Sequence, residues 1–423
     1  MNILSAMLPA WQAAFDKIRD HESCALFEMS EGQRVPFACR ALRETGRPVI
    51  YVSSGEKQAM HVADDAGVWL EDRAAMLPAR ENTFAHMTGG REKEIQRLSI
   101  LSRAVRGEIT FLSISAETLL QPMMPLARFK EACVTIGVGD ETEPGALIDR
   151  LLRCGYTRAD MVEGRGQCAL RGEIVDVFPP DQLTAIRIEF FDTEVDSIRR
   201  FDCISQRSDE RLDEVTICPA YEFLIPEGEG ARVASAMREA IRAQSARLPR
   251  DVLEGGRFDF DDGDEAESDP AVIFERGNVP RALRTGLSGM ADDAEEAEKG
   301  FPFSQLPLWA GTVYPQPELL ADWLQDCVLV FDYPENAIGR CRDREAGFAE
   351  ELKAAMEHGQ AVPEMLGAQW SVDEMLPRLR QFTLITLQEF LHGTSGLIDQ
   401  ASAPLKLEST PAPRYDSRIK ELA

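Results

Sequence analysis

An α/β fold resting on a parallel sheet, interrupted by an inserted α+β domain with an antiparallel meander, is what this 423-residue sequence predicts. Three observations carry the prediction. Short β-branched runs alternate with segments of helical periodicity, the pattern of strands joined by helical crossovers. Runs of the same kind return late in the chain, at CVLVFDYPE (Cys327 to Glu335) and FTLITL (Phe382 to Leu387). Between the two groups, Gly155 to Phe201 changes to a period of two, as three short strands joined by tight turns.

The elements follow in order. The N-terminal MNILSAMLPAWQAAFDKIRD mixes acidic, basic and apolar residues as an amphipathic helix does, without the basic start, apolar stretch and small-residue cleavage site of a signal peptide. CALFEM (Cys24 to Met29) reads as a strand, and the segment after it as a turn and a helix closed by Gly46. PVIYVSS (Pro48 to Ser54) is a buried strand, EKQAMHVADDAG a helix, Lys93 to Arg106 a helix, and ITFLSIS (Ile109 to Ser115) a strand. The texture changes near Pro125. Phe129 to Val138 is expected as a strand and Glu143 to Cys154 as a helix, and the meander follows. Beyond Glu222 the chain turns helical, then passes through the acidic FDFDDGDEAESDP. That run fails as a calcium loop, because Gly263 stands fifth instead of sixth and Pro270 takes the place of the bidentate Glu. It is expected to be solvated surface. The Pro-rich tail enters a few helical residues and stops, as a fragment of a longer protein would.

Composition narrows the function. A chain of this length needs two or three domains. Its formal net charge of -26 opposes non-specific binding of nucleic acid by the chain as a whole. Nine cysteines without a CxxC pair argue for free core thiols, and five scattered histidines argue against a dedicated metal site. No apolar run reaches the roughly 18 residues of a membrane span. A cytoplasmic protein is expected.

A phosphate loop should follow the first strand if the α/β unit hydrolysed ATP, with glycines to wrap the phosphates, then Lys, then Ser or Thr for magnesium. The segment there is FEMSEGQRVPFA (Phe27 to Ala38), with Gly32 alone, Gln33 and Arg34 in place of Lys and Ser/Thr, and Glu31 set to repel phosphate. Asp332 ends a buried strand where a magnesium carboxylate often stands, but Tyr333 follows it instead of a catalytic Glu. The shape of a nucleotide fold is expected without its chemistry. No GxSxG or comparable nucleophile signature occurs either.

What remains is the meander. Its middle strand puts Ile186, Ile188 and Phe190 on one face and Arg187, Glu189 and Phe191 on the other. Arginine and aromatic residues on a free sheet face are the types enriched in binding hot spots. Two readings stay open from the residues alone. They form a docking surface, or they are solvated residues with Phe191 tucked under the strand from Glu194 to Arg199. Gly172 is expected to mark a bulge that re-aims Arg171.

The blocks LPAREN (Leu77 to Asn82), GYTRADMVEGRGQCALRGEIVDVFPP (Gly155 to Pro180), IRIEFFDTEVDSIRRFD (Ile186 to Asp202) and SQRSDERLDEVTICPAYEF (Ser205 to Phe223) resemble the bacterial transcription-repair coupling factors. They are similar to that family's amino-terminal module, itself like the excision-repair protein UvrB, and the degenerate SEGQR loop is similar too. The resemblance implies a degenerate phosphate-loop, RecA-like parallel-sheet domain split in two. Its first half would be residues 1–127, an inserted UvrA-binding domain 128–221, its second half 222–402, and 403–423 a linker into a truncated next domain. It implies a non-catalytic module that recruits UvrA for transcription-coupled excision repair through Arg171, Arg187 and Phe191, with no cofactor in this chain. ATP, magnesium, RNA polymerase and double-stranded DNA would belong to other domains of an ATP-dependent translocase parent. The alternatives are a UvrB-like damage-handling ATPase and an autoinhibitory module that masks the UvrA-binding face.

Overall fold

The computed structural model describes residues 9–82, 84, 91–247, 286–390, 396–398 and 404–406. The acidic run at 258–270 lies outside them, so its expectation as solvated surface has no structural counterpart here. The expected α/β class is what the chain adopts. Seven strands form a parallel sheet: β1 (Cys24–Phe27), β2 (Val49–Ser53), β3 (Ala74–Leu77), β4 (Phe111–Ser115), and others introduced below. β5 (Val134–Gly137) leaves it, and β6 (Thr157–Arg158), β7 (Gln167–Arg171), β8 (Ile174–Val177), β9 (Ala185–Phe191), β10 (Glu194–Phe201) and β11 (Ser208–Leu212) build a second sheet. β12 (Glu214–Ile217) pairs with β5, and β13 (Val328–Asp332), β14 (Thr383–Leu387) and β15 (Leu405–Lys406) return to the first sheet.

The large sheet has the order β15-β1-β14-β13-β2-β4-β3, so strands from both ends of the chain interleave. β13 lies between β14 and β2, in register Val328 with Val49 and Phe331 with Val52. All residues of β2, β4, β13 and β14 are buried, as helix-covered parallel strands must be. Successive side chains enter opposite cores: Ile50 and Val52 pack with Leu329 and Phe331 on one side, Val49 and Tyr51 with Val328 and Val330 on the other. The helix Glu31–Thr45 stops at Gly46, whose φ of 73° lets its N–H reach the Leu42 carbonyl.

The second sheet, ordered β11-β10-β9-β8-β7-β6, is antiparallel apart from the β6–β7 pair. Ile186, Ile188 and Phe190 enter a core with Val175, Val177 and the helix Pro144–Arg153 through Leu147, Ile148 and Leu151. On the sheet's other face Val162, Ala169, Ala185 and Phe201 form a small cluster of their own. Where this region rejoins the large sheet, Gly155 (φ 89°) lies so close to Tyr221 that a Cβ there would stand 2.2 Å from the ring. The next residue, Glu222, is buried and accepts from Arg97 Nε at 2.7 Å, Arg97 Nη2 at 2.6 Å and Arg80 Nη2 at 2.5 Å. The Arg of the LPAREN block is therefore a clamp across this seam.

Three expectations are corrected, and one strand was not anticipated. Phe129 to Val138 is not one strand: Leu126–Ala132 is helical and only Val134–Gly137 extends. The meander holds five strands between Thr157 and Phe201 instead of three. Gly172, at φ 63°, makes the turn between β7 and β8, and the register irregularities lie in β10, between Val195 and Ser197 against β9 and between Arg199 and Phe201 against β11. β3 and its helix-to-strand approach carried no strand expectation at all. All nine cysteines hold free thiols, seven of them buried.

Candidate protein-docking face

Antiparallel register assembles the polar face of the second sheet. Asp176 on β8 lies opposite Arg187 on β9 and Ala169 on β7, and Ile174 lies opposite both Arg171 and Glu189. Asp176 is only 1% exposed. Its Oδ1 accepts from Arg187 Nε at 2.7 Å, and its Oδ2 from Arg187 Nη2 at 2.8 Å and Arg171 Nη2 at 2.6 Å. A buried carboxylate is tolerated when charge-assisted bonds satisfy both oxygens, and here two guanidiniums do so. Arg187 also donates to Gln206 Oε1 at 3.0 Å and lies 4.3 Å over the Phe201 ring, so the turn after β10 leans onto this face. The hydrogen bond to Asp176, more than any loss from burial, raises the Arg187 pKa above its ordinary value.

The three expected residues thus share one face but differ in access. Phe191 is 76% exposed at the β9–β10 hairpin, so it is not tucked under β10. The Arg171 side chain is 42% exposed and that of Arg187 13%. Glu189 is held by its own sheet: Ser197 Oγ donates to it at 2.6 Å, and Arg199 pairs with it at 3.6 Å. Beyond Gln206, Ile204 is almost wholly exposed. Asp176 is the residue that sequence reasoning passed over. In EIVDVF it looks like an outward charge on a strand, and only the register shows that both arginines converge on it.

The degenerate loop has a different geometry. Arg34, buried in the helix Glu31–Thr45, places Nη1 2.8 Å from Asp332 Oδ1 and Nη2 2.7 Å from the Tyr333 hydroxyl, with the ring 4.0 Å from its guanidinium carbon. Gln58 Nε2 donates to Asp332 Oδ2 at 2.9 Å. Burial pushes the Asp332 carboxyl up and Arg34 pulls it back only in part. The carboxylate that would hold magnesium in a working site is spent on protein donors. Among the described residues no group of three or more His, Cys, Asp or Glu side chains is gathered for a metal, and no helix is long and apolar enough to cross a membrane.

Comparison with known proteins bears on the second sheet directly. Residues 134–223 match the family described as the UvrB interaction domain. The chain is also 34% identical over 225 residues to the transcription-repair-coupling factor of Bacillus subtilis, covering 53% of this chain and 19% of that protein. The chain resembles the transcription-repair-coupling factors. The same named protein of Myxococcus xanthus is 32% identical over 257 residues, 58% of this chain and 20% of the relative. That of Mycobacterium tuberculosis is 32% identical over 209 residues, 47% and 17%. The matches therefore span about a fifth of the relatives' length. The matched segment runs from β5 to just beyond Glu222, so it contains the whole face that carries Arg171, Asp176, Arg187 and Phe191.

Proposed function

We propose that this chain is a docking module that recruits UvrA to a stalled transcription complex for excision repair, with the polar face of the second sheet as its contact surface. The observation that carries the reading is an exposed phenylalanine beside two arginines gathered on one buried carboxylate, inside the segment similar to a UvrB interaction domain. Phe191 offers apolar area at the hairpin and Arg171 offers cationic donors, both residue types enriched at protein interfaces. The remainder of the sheet is a rigid platform for them.

The large sheet acts in this reading as a scaffold and not as an ATPase. Gln33 and Arg34 stand where a loop would need Lys and Ser/Thr, and the bond of Arg34 to Asp332 leaves that carboxylate committed. Nucleotide hydrolysis, RNA polymerase and duplex DNA are assigned to other parts of a longer protein of the coupling-factor type.

Calorimetric titration of UvrA into this chain tests the proposal. Binding is expected for the native chain and its loss for the Arg171→Ala, Arg187→Ala, Phe191→Ala triple variant, measured below its lowered melting midpoint, where its circular-dichroism spectrum is still that of the folded chain, because Asp176 is left there without a cation. Full-strength binding by the triple variant would overturn the site, and no binding by the native chain would overturn the function.

A further inference from the structure

The two arginines of the docking face are not equivalent, and the reason is Asp176. Its Oδ2 serves both guanidiniums while its Oδ1 serves Arg187 alone. Arg187 is therefore seated by two parallel bonds, the fork geometry that fixes a guanidinium plane. Gln206 and the Phe201 ring hold the same group from the side. Arg171 is held through Nη2 on a shared oxygen and is about three times as exposed as Arg187, 42% against 13%. The cluster holds two cations on one carboxylate, and Glu189 on the same face is engaged by Ser197 and Arg199.

Resting on the docking reading above, we infer that Asp176 is the positioning residue of the face. It locks Arg187 as a frame and presents Arg171 in a releasable pose for a carboxylate of UvrA. On binding, Arg171 exchanges its single bond to Asp176 for a partner carboxylate, while Arg187 keeps its two-point seat and Asp176 stays neutralised. Releasing Arg171 costs little for that reason: the buried carboxylate is never left without a cation. Arg187 in this arrangement shapes the surface more than it touches the partner, and Phe191 supplies the neighbouring apolar contact.

The test is a double-mutant cycle in UvrA binding, read by calorimetry. Asp176→Asn, nearly isosteric, is expected to weaken binding about tenfold or more in the native background. In the Arg171→Ala, Arg187→Ala background it is expected to change affinity by less than about twofold, because no guanidinium remains to position. Native-level binding by Asp176→Asn, or an undiminished loss in the double-alanine background, would overturn the inference. Should Asp176→Asn fail to fold, Arg187→Lys replaces it. That change keeps the charge and loses the fork, so it is expected to bind as weakly as Arg187→Ala, and native binding by it is the overturning result.

A partner-free readout separates this inference from the docking reading. In the native chain the Arg187 Nε–H should give a distinct, exchange-protected NMR resonance that disappears into the bulk arginine signal in Asp176→Asn. If UvrA does not bind at all, the docking reading fails, and an unchanged Arg187 resonance in Asp176→Asn would remove the positioning role as well.

Discussion

Two arginine–aspartate clusters, one in each sheet, use the same chemistry to opposite ends. In the large sheet Arg34 and Asp332 are 1% and 3% exposed, and Tyr333 and Gln58 close the remaining sides. In the second sheet Asp176 is as deeply buried as Arg34, but its two arginines reach outward to different degrees. Burial of the anion is common to both, and access to the cation separates them. A sealed pair joins a helix from the early part of the chain to a strand from the late part. An open one makes a surface whose outer cation can change partners. An ion pair's role is set by the exposure of its most exposed member and not by its bond lengths, which are alike in the two clusters.

The sharpest way to break this contrast is to delete the sealed cation. Arg34→Ala leaves Asp332 buried beside Gln58 without its guanidinium, and a loss of about 3–5 kcal/mol of stability is expected. Urea unfolding measures it, and UvrA affinity of the folded fraction should not move. Deleting the inner cation of the open cluster comes next. Arg187→Ala is expected to cost roughly 2 kcal/mol or more of UvrA affinity. Its stability loss should be smaller than that of Arg34→Ala because Arg171 still neutralises Asp176, and calorimetry and thermal melts on one preparation separate the two effects. Phe191→Ala carries the contrast to its limit. About 2 kcal/mol of affinity should go with stability unchanged to within about 0.5 kcal/mol, the scale of surface substitutions.

Acid titration supplies the smallest and most gradual effect. Glu222 is a third buried carboxylate, sealed between Arg80 and Arg97. Burial alone would push its carboxyl up, but the two guanidiniums outweigh that and hold it far below the usual carboxylate range. A depressed folded-state pKa means that the unfolded chain takes up the proton first as pH falls. Its stabilisation is thus complete above the unfolded pKa of about 4.3 and is lost on further acidification. Thermal midpoints between pH 6 and pH 3 should fall, with a Glu222 share of slope on the order of 1.4 kcal/mol per pH unit at most. Glu222→Gln should start lower and lose that share. An unchanged slope in Glu222→Gln would show that other carboxylates govern acid unfolding.

Much of this was legible in the residues because the signals were local. β-branched runs such as VIYVS and TLITL became fully buried strands, and alternation in AIRIEFF sorted Ile186 and Ile188 from Arg187 and Phe191 correctly. What was hidden depends on register or on competition between neighbours. Asp176 acquires its meaning only when β7 and β9 flank β8, which no window of sequence displays. Phe129 to Val138 misled because LARFKEA carries helix formers one residue ahead of VTIG, and helix propensity took the first part. Arg34 was recognisable as a wrong residue for phosphate, but its bond to Asp332 spans almost 300 positions of chain and needed the fold.

The short pairing of β5 with β12 sets Val134 against Ile217, so the chain leaves for the second sheet and comes back at neighbouring points. Antiparallel partners stand about 5 Å apart, and because loop-closure cost grows only with the logarithm of loop length, each doubling of the chain between them adds only about 0.6 kcal/mol. The second sheet is therefore an insertion whose entry and exit lie side by side at Val134 and Ile217.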